Sequence, residues 1–203
     1  MLQEQRKGSW IQLFSGLAFY PLDPRSDEFT LVDIAHALSL ENRFSGHSRE
    51  PYSVAEHSVR VSILMEELAN NYEWALPEVV NAGMVGLAHD GEEGLGWRDI
   101  ARPIKHQPEF EFYRQLSENC QAEVWLKFGV FLNPEVSALT HKADAILLAT
   151  EKRDLMDPPK YPWGPLPNPL QEKITPWPWQ VAEMKFIARY EDLQARRNAL
   201  ILR

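Results

Sequence analysis

The chain has 203 residues, a net charge of −8 at pH 7 and 44% hydrophobic residues, enough for one sizeable domain with its own core. Its acidic balance, with a pI near 5.3, excludes a broad nucleic-acid-binding surface, which must be basic, although a local cluster or a metal can still hold a small anion. The single Cys120 excludes an internal disulfide framework and fits a reducing compartment. With no apolar run long enough to cross a membrane and no leader pattern at the start, a cytoplasmic protein without a membrane partner is expected.

Trp10 to Leu22 is apolar with polar breaks. Phe19-Tyr20-Pro21-Leu22 within it is either a short strand or an extended segment on the body, and a turn cluster follows at Asp23-Pro24-Arg25. A helix is predicted from about Leu31 to Leu40, with Thr30 as its N-cap and Ile34, Ala35, Ala37 and Leu38 as its apolar stripe. Residues 41–52 form a loop containing Arg43, Phe44, Gly46, His47, Ser48 and Arg49, dense in groups that bind anions. Ser53-Val54-Ala55-Glu56 reads as a capping box. It opens a helix on which Val54, His57, Val61, Leu64 and Leu68 recur at helical spacing, so His57 points inward.

A further helix begins at Pro77 and runs to His89-Asp90. Glu93 lies four residues past His89, where a continuing helix would place both on one face, and Gly91 and Gly94 weaken and end that helix. A loop then carries Asp99, Arg102, Lys105 and His106. Residues 109–128 form a long helix with Phe112, Leu116, Cys120, Val124 and Leu126 as inward candidates, and Asn133-Pro134 caps and opens the next, which carries Asp144 on a largely apolar face. Eight prolines between Asp157 and Trp179 forbid helix over most of that stretch. Its interleaved Tyr161, Trp163, Trp177 and Trp179 make it an ordered loop rather than a linker, and a final helix runs from Trp179 to about Leu200. The expected fold is all-α: a compact helical bundle with a proline-rich C-terminal loop and a final helix. It forms a single domain over 1–203, with a core over about 31–156 and a C-terminal extension over 157–203.

Four positions stand out as a set: His57 on an apolar stripe, His89 and Asp90 at a helix end, and Asp144. A buried, unpaired carboxylate is costly, so Asp144 needs a partner. Two imidazoles and two carboxylates suit Zn²⁺, Mn²⁺, Fe²⁺ or Co²⁺. Taken one by one, the same residues have structural readings: a satisfied core histidine, or an aspartate paired with Lys or Arg. His36 and His141 read as structural. Glu151 is either a supporting group behind the ligands or half of a surface ion pair, and Arg49 and Arg153 either meet phosphates or form salt bridges.

The pattern of one His, then His-Asp, then a distant Asp resembles the HD-domain metal-dependent phosphohydrolases. Arg43-Phe44-Ser45-Gly46-His47, Tyr52 to Ser58 and Ala149 to Met156 resemble the compact subgroup acting on deoxynucleotides, which includes 5′-monophosphatases and phage-type dATP triphosphohydrolases. The resemblance implies His57, His89, Asp90 and Asp144 as metal ligands for Zn²⁺, Co²⁺ or Mn²⁺, with Mg²⁺ accompanying a triphosphate. It implies Glu93 as the residue that orients or deprotonates water or binds a further ion, and Asp99 as a general acid or base or a metal-site partner. Arg43 and Lys105 would meet phosphate, with Arg43 also able to contact the sugar. Apart from the resemblance, the loop residue His47 either touches phosphate or is exposed to solvent. Phe44 would form an aromatic wall on the deoxyribose. The implied activity is hydrolysis of a deoxynucleoside triphosphate to deoxynucleoside and triphosphate. A 5′-monophosphatase is the alternative on the same scaffold, and a non-catalytic nucleotide-binding protein the alternative of another class. The expected partner is a small deoxynucleotide, with no nucleic-acid polymer, and the chain is expected to form a homo-oligomer in the cytoplasm, a host's cytoplasm if phage-encoded.

Overall fold

The structure, a computed structural model, describes residues 6–202. A two-residue antiparallel hairpin, β1 (Ile11–Gln12) with β2 (Ala18–Phe19), precedes the helices. The helices are α1 (Leu31–Leu40), α2 (Val54–Asn71), α3 (Leu76–Ala88), the single turn α4 (Arg102–Lys105), α5 (Glu111–Phe128), α6 (Pro134–Leu155) and α7 (Trp179–Ile201). The all-α expectation holds, with strand confined to the edge. No helix among the described residues is long and apolar enough to cross a membrane.

Local chemistry sets the helix starts. Thr30 Oγ1 accepts from the Asp33 amide at 3.2 Å while Asp33 Oδ2 accepts from the Thr30 amide at 2.8 Å, a reciprocal cap. Ser53 Oγ caps α2 by accepting from the Glu56 amide at 3.1 Å, but the box predicted there is only half made. The Glu56 carboxylate turns away, accepting from Arg60 Nη2 at 2.8 Å and from the Trp177 amide at 2.7 Å. It thereby fastens the proline-rich segment to α2. At α5 the inward reading of Phe112 and Leu126 is corrected: both are exposed, and the buried face is Leu116, Cys120, Val124 and Phe128. Tyr113 takes the inward place in the first turn, with its ring 5.1 Å from that of Trp97. Leu126 lies two residues past Val124 and therefore on another face.

The arrangement of α2, α3 and α7 positions the site. Gly86 lets α2 and α3 approach closely, since a Cβ there would lie 2.8 Å from Met65 Sδ and 2.9 Å from Ser62 Cα. Ser62 Oγ donates to the Gly83 carbonyl at 2.6 Å and accepts from Arg189 Nε of α7 at 2.9 Å. Ala182, Phe186 and Leu193 of α7 are fully buried in the same core as Ile34, Val59, Met84 and Leu87. This last helix, at the far end of the C-terminal extension, is thus part of the core.

Candidate metal centre

Three helix segments bring the predicted ligands together. His57, in the second turn of α2, is fully buried. His89 follows the last residue of α3, and its Nδ1 bonds the Gly86 carbonyl at 2.8 Å. A carbonyl only accepts, so Nδ1 carries the proton and Nε2 presents a lone pair. His57 Nδ1 likewise faces a carboxylate oxygen, Glu151 Oε1, at 2.6 Å. The two Nε2 atoms then face each other at 3.3 Å. Asp90 Oδ2 lies 3.2 Å from His89 Nε2 and 3.8 Å from His57 Nε2, and Asp144 Oδ1 of α6 lies 3.4 Å from His57 Nε2.

These distances test whether a metal fits. Bonds of about 2.0–2.1 Å in a tetrahedral site place neighbouring ligand atoms roughly 3.3–3.5 Å apart. The observed separations bracket that range. Two opposed imidazole lone pairs flanked by carboxylates repel unless a cation lies between them. His57, His89 and Asp90 can therefore hold a divalent ion, with Asp144 on the His57 side. A proton competes for the same place. Burial and Arg43 lower the His57 pKa, but Glu151 and Asp144 outweigh them and push it up to about 9. Burial keeps His89 below its ordinary value. Burial also works against the charged form of Asp144, but His57 and Arg43 hold it well below the carboxylate range.

A cationic rim overlies these ligands. Arg43 enters from the loop after α1, with Nη1 3.7 Å from Asp90 Oδ2, Nη2 3.9 Å from Asp144 Oδ1 and Nε 3.2 Å from Glu151 Oε2. Arg102 of α4, passed over as a site residue by the sequence reading, sets Nη2 3.9 Å from Asp144 Oδ2. Phe44 and Ser45 hold φ near 57° and 51°, a left-handed backbone that is strained for a bulky residue. Phe44 lies under the Arg43 guanidinium, 5.6 Å from ring centroid to Cζ, and its ring is 6.3 Å from that of Trp163 in the proline-rich segment. His47 is exposed, just past this turn.

Glu93 does not lie on a continuation of α3. The helix stops at Ala88, and Gly91–Leu95 form a tighter 3₁₀ turn. Its carboxyl is buried with Oε2 unpaired. Burial, then Asp90 and Glu92, push its pKa far up, so it keeps its proton well above the usual carboxyl range. Glu92, absent from the sequence reading, is equally buried, and burial raises its pKa to about 7. Its Oε1 accepts from Ser117 Oγ at 3.1 Å. The only hint of it in the sequence was its adjacency to Glu93. Lys105 draws both pKa values back down. Asp99 lies close enough to Glu93 to raise that pKa, and its amide donates to Glu41 Oε1 at 3.0 Å. Gln121, another residue without a sequence signal, bridges the turn by donating to the Ala88 carbonyl at 2.8 Å and accepting from the Glu92 amide at 3.1 Å.

Gly91 and Gly94 are packing requirements more than helix breakers. A Cβ on Gly91 would lie 2.6 Å from Val124 Cγ1, and one on Gly94 3.1 Å from the Ile34 carbonyl. Arg49 and Arg153 are structural. Arg49 Nη1 donates to the Met156 carbonyl at 3.2 Å at the end of α6, and Arg153 pairs with Asp154 at 2.7 Å. His36 stacks on Phe14 with 3.8 Å between ring centroids, the structural role expected of it, whereas His141 is exposed.

No family model matches the chain. Over 147 residues it is 36% identical to the uncharacterized protein YfdR of Escherichia coli (strain K12), an alignment covering 72% of each chain. Over 127 residues it is 33% identical to an uncharacterized protein of Rhodobacter capsulatus, covering 61% of this chain and 60% of that one.

Proposed function

The chain belongs to the family of YfdR, and from its metal centre we propose that it is a metal-dependent phosphohydrolase acting on 2′-deoxynucleotides, with a dATP-like triphosphate as substrate. The observation that carries this reading is the Arg43 guanidinium standing within 4 Å of two carboxylates of a cation site. Such a site offers a metal and an anion receptor to the same phosphate. The restriction to deoxynucleotides rests on the resemblance of Arg43-Phe44 and of the sequence around His57, with Phe44 as the wall on the sugar.

A divalent ion held by His57, His89, Asp90 and Asp144 would supply Lewis acidity toward a phosphoryl oxygen and toward water. The chain's own groups divide the remaining work. Arg43 and Arg102 offset phosphate charge, and Lys105, close enough to Glu92 and Glu93 to lower their pKa values, adds to it. Glu93, whose pKa burial raises, is the group that can deliver a proton to a departing 5′-oxygen. Asp99 is the acceptor for the proton of the attacking water. Cleavage of the 5′-O–P bond of a triphosphate adds one water and yields deoxynucleoside and intact triphosphate.

The test is product analysis on dATP and dAMP with Mn²⁺, Co²⁺, Zn²⁺ and Mg²⁺, resolving triphosphate, pyrophosphate and phosphate. Triphosphate from dATP is expected. Phosphate from dAMP alone would replace the reading with a 5′-monophosphatase. Bound nucleotide without turnover under all four metals would make the protein a binding protein instead.

A further inference from the structure

We propose that Glu151 is a positioning residue that joins the metal half of the site to its anion half. It lies two turns after Asp144 on α6 and is fully buried. A carboxylate in that position needs donors for both oxygens. Two of its partners, His57 and Arg43, belong to the site, and the buried Tyr52 hydroxyl also lies against it. Oε1 bonds His57 Nδ1 at 2.6 Å and Oε2 bonds Arg43 Nε at 3.2 Å.

Each bond has a separate consequence. The first fixes the His57 tautomer, keeps Nε2 free for a metal and makes it a stronger donor. The second anchors Arg43 at Nε, leaving Nη1 and Nη2 directed toward Asp90 and Asp144, where a phosphate would meet the ion. Metal affinity and anion affinity therefore share one support and weaken together when it is lost. The anion half rests on the function proposed above, whereas the metal half does not.

The experiment titrates MnCl₂ alone into the wild type, Glu151→Gln and Glu151→Ala by calorimetry, beside their melting curves without metal. Glu151→Ala should lose about 10–100-fold in Mn²⁺ affinity, the usual effect of removing such a partner. Glu151→Gln can still accept from Nδ1, but as an uncharged and weaker acceptor, so its Mn²⁺ affinity should fall between the two; it cannot accept from Arg43 Nε. At saturating Mn²⁺, both variants should show a raised KM for dATP. Mn²⁺ affinity within twofold of wild type in both variants would overturn the proposal, whatever happens to their melting temperatures. If Glu151→Ala does not fold, long-range ¹H–¹⁵N spectra of the Zn²⁺-loaded wild type decide. A His57 proton on Nδ1 supports the proposal and one on Nε2 refutes it. Weakened metal binding in a protein with no turnover on any nucleotide leaves this inference standing and removes the phosphohydrolase reading. Nucleotide turnover with unaltered metal affinity in both variants does the reverse.

Discussion

At the scale of single residues, the proposed chemistry divides the groups that would hold a cation from the group that would move a proton. Asp90 is a ligand candidate shared by both imidazoles, so Asp90→Ala should abolish metal retention and turnover together. Metal analysis after gel filtration, beside the dATP assay, checks this. Glu93 has no donor to Oε2 and no place in the His57–His89–Asp90 cluster. Glu93→Gln should keep the metal and the fold while lowering kcat by about 10²–10⁴, the usual contribution of a positioned acid or base. A parallel loss of metal would move Glu93 into the ligand set. Gly91 is a packing residue: Gly91→Ala forces its Cβ to within 2.6 Å of Val124. Overpacking of this kind costs about 1–3 kcal/mol, readable as a lower urea midpoint.

At the scale of elements, α1 is held by one carboxylate. Asp33 caps Thr30 and also accepts from the Ser15 amide at 2.7 Å, tying the hairpin to the bundle. Burial raises its pKa, but the bonds from Thr30 and Ser15 outweigh burial and hold it below its ordinary value. A depressed folded-state pKa contributes stability above the unfolded value of about 3.9, and that stability is lost as pH falls through the folded value. Asp33→Ala should therefore destabilise by about 1 kcal/mol at pH 7, the typical worth of a cap. The gap from wild type should close in melts run below pH 4. A gap independent of pH would show that the carboxylate charge is not what stabilises α1.

At the scale of the whole molecule, α7 closes the core around the helices that carry His57 and His89. Leu193 is fully buried, and its side chain would lie 2.9 Å from a Cβ on Gly83 of α3. Leu193→Ala should cost about 2–5 kcal/mol, the range for truncating a buried leucine. A chain cut after Met156 should lose cooperative folding altogether. Thermal melts by circular dichroism measure both, and a cooperative transition in the truncated chain would count against this role for α7. We propose that exposed Tyr161 and Trp179 form a surface between copies of the chain. Light scattering on the purified protein reads the oligomeric state directly.

Helical periodicity, the caps at Thr30, Ser53 and Asn133, and the proline block were enough to locate most elements, because these signals are local. His57 and Asp144 were legible because polar residues on apolar faces demand partners, and His89 and Asp90, at a helix end, joined them through the resemblance of the His, His-Asp, Asp pattern. Three features depended on distant contacts. Glu151 reads equally as a supporting group behind the ligands or as half of a surface ion pair until α6 lies against α2 and seals it from water. Glu92 and Gln121 have no periodic mark, since their roles arise only where α5 meets the end of α3. The glycines at 91 and 94 look like helix breakers in one dimension, yet in three their missing side chains make room for Val124 and the Ile34 carbonyl. The sequence alone determined which residue types line a helical site. Tertiary structure decided which of them are buried together, because burial and pairing are set by neighbours far along the chain.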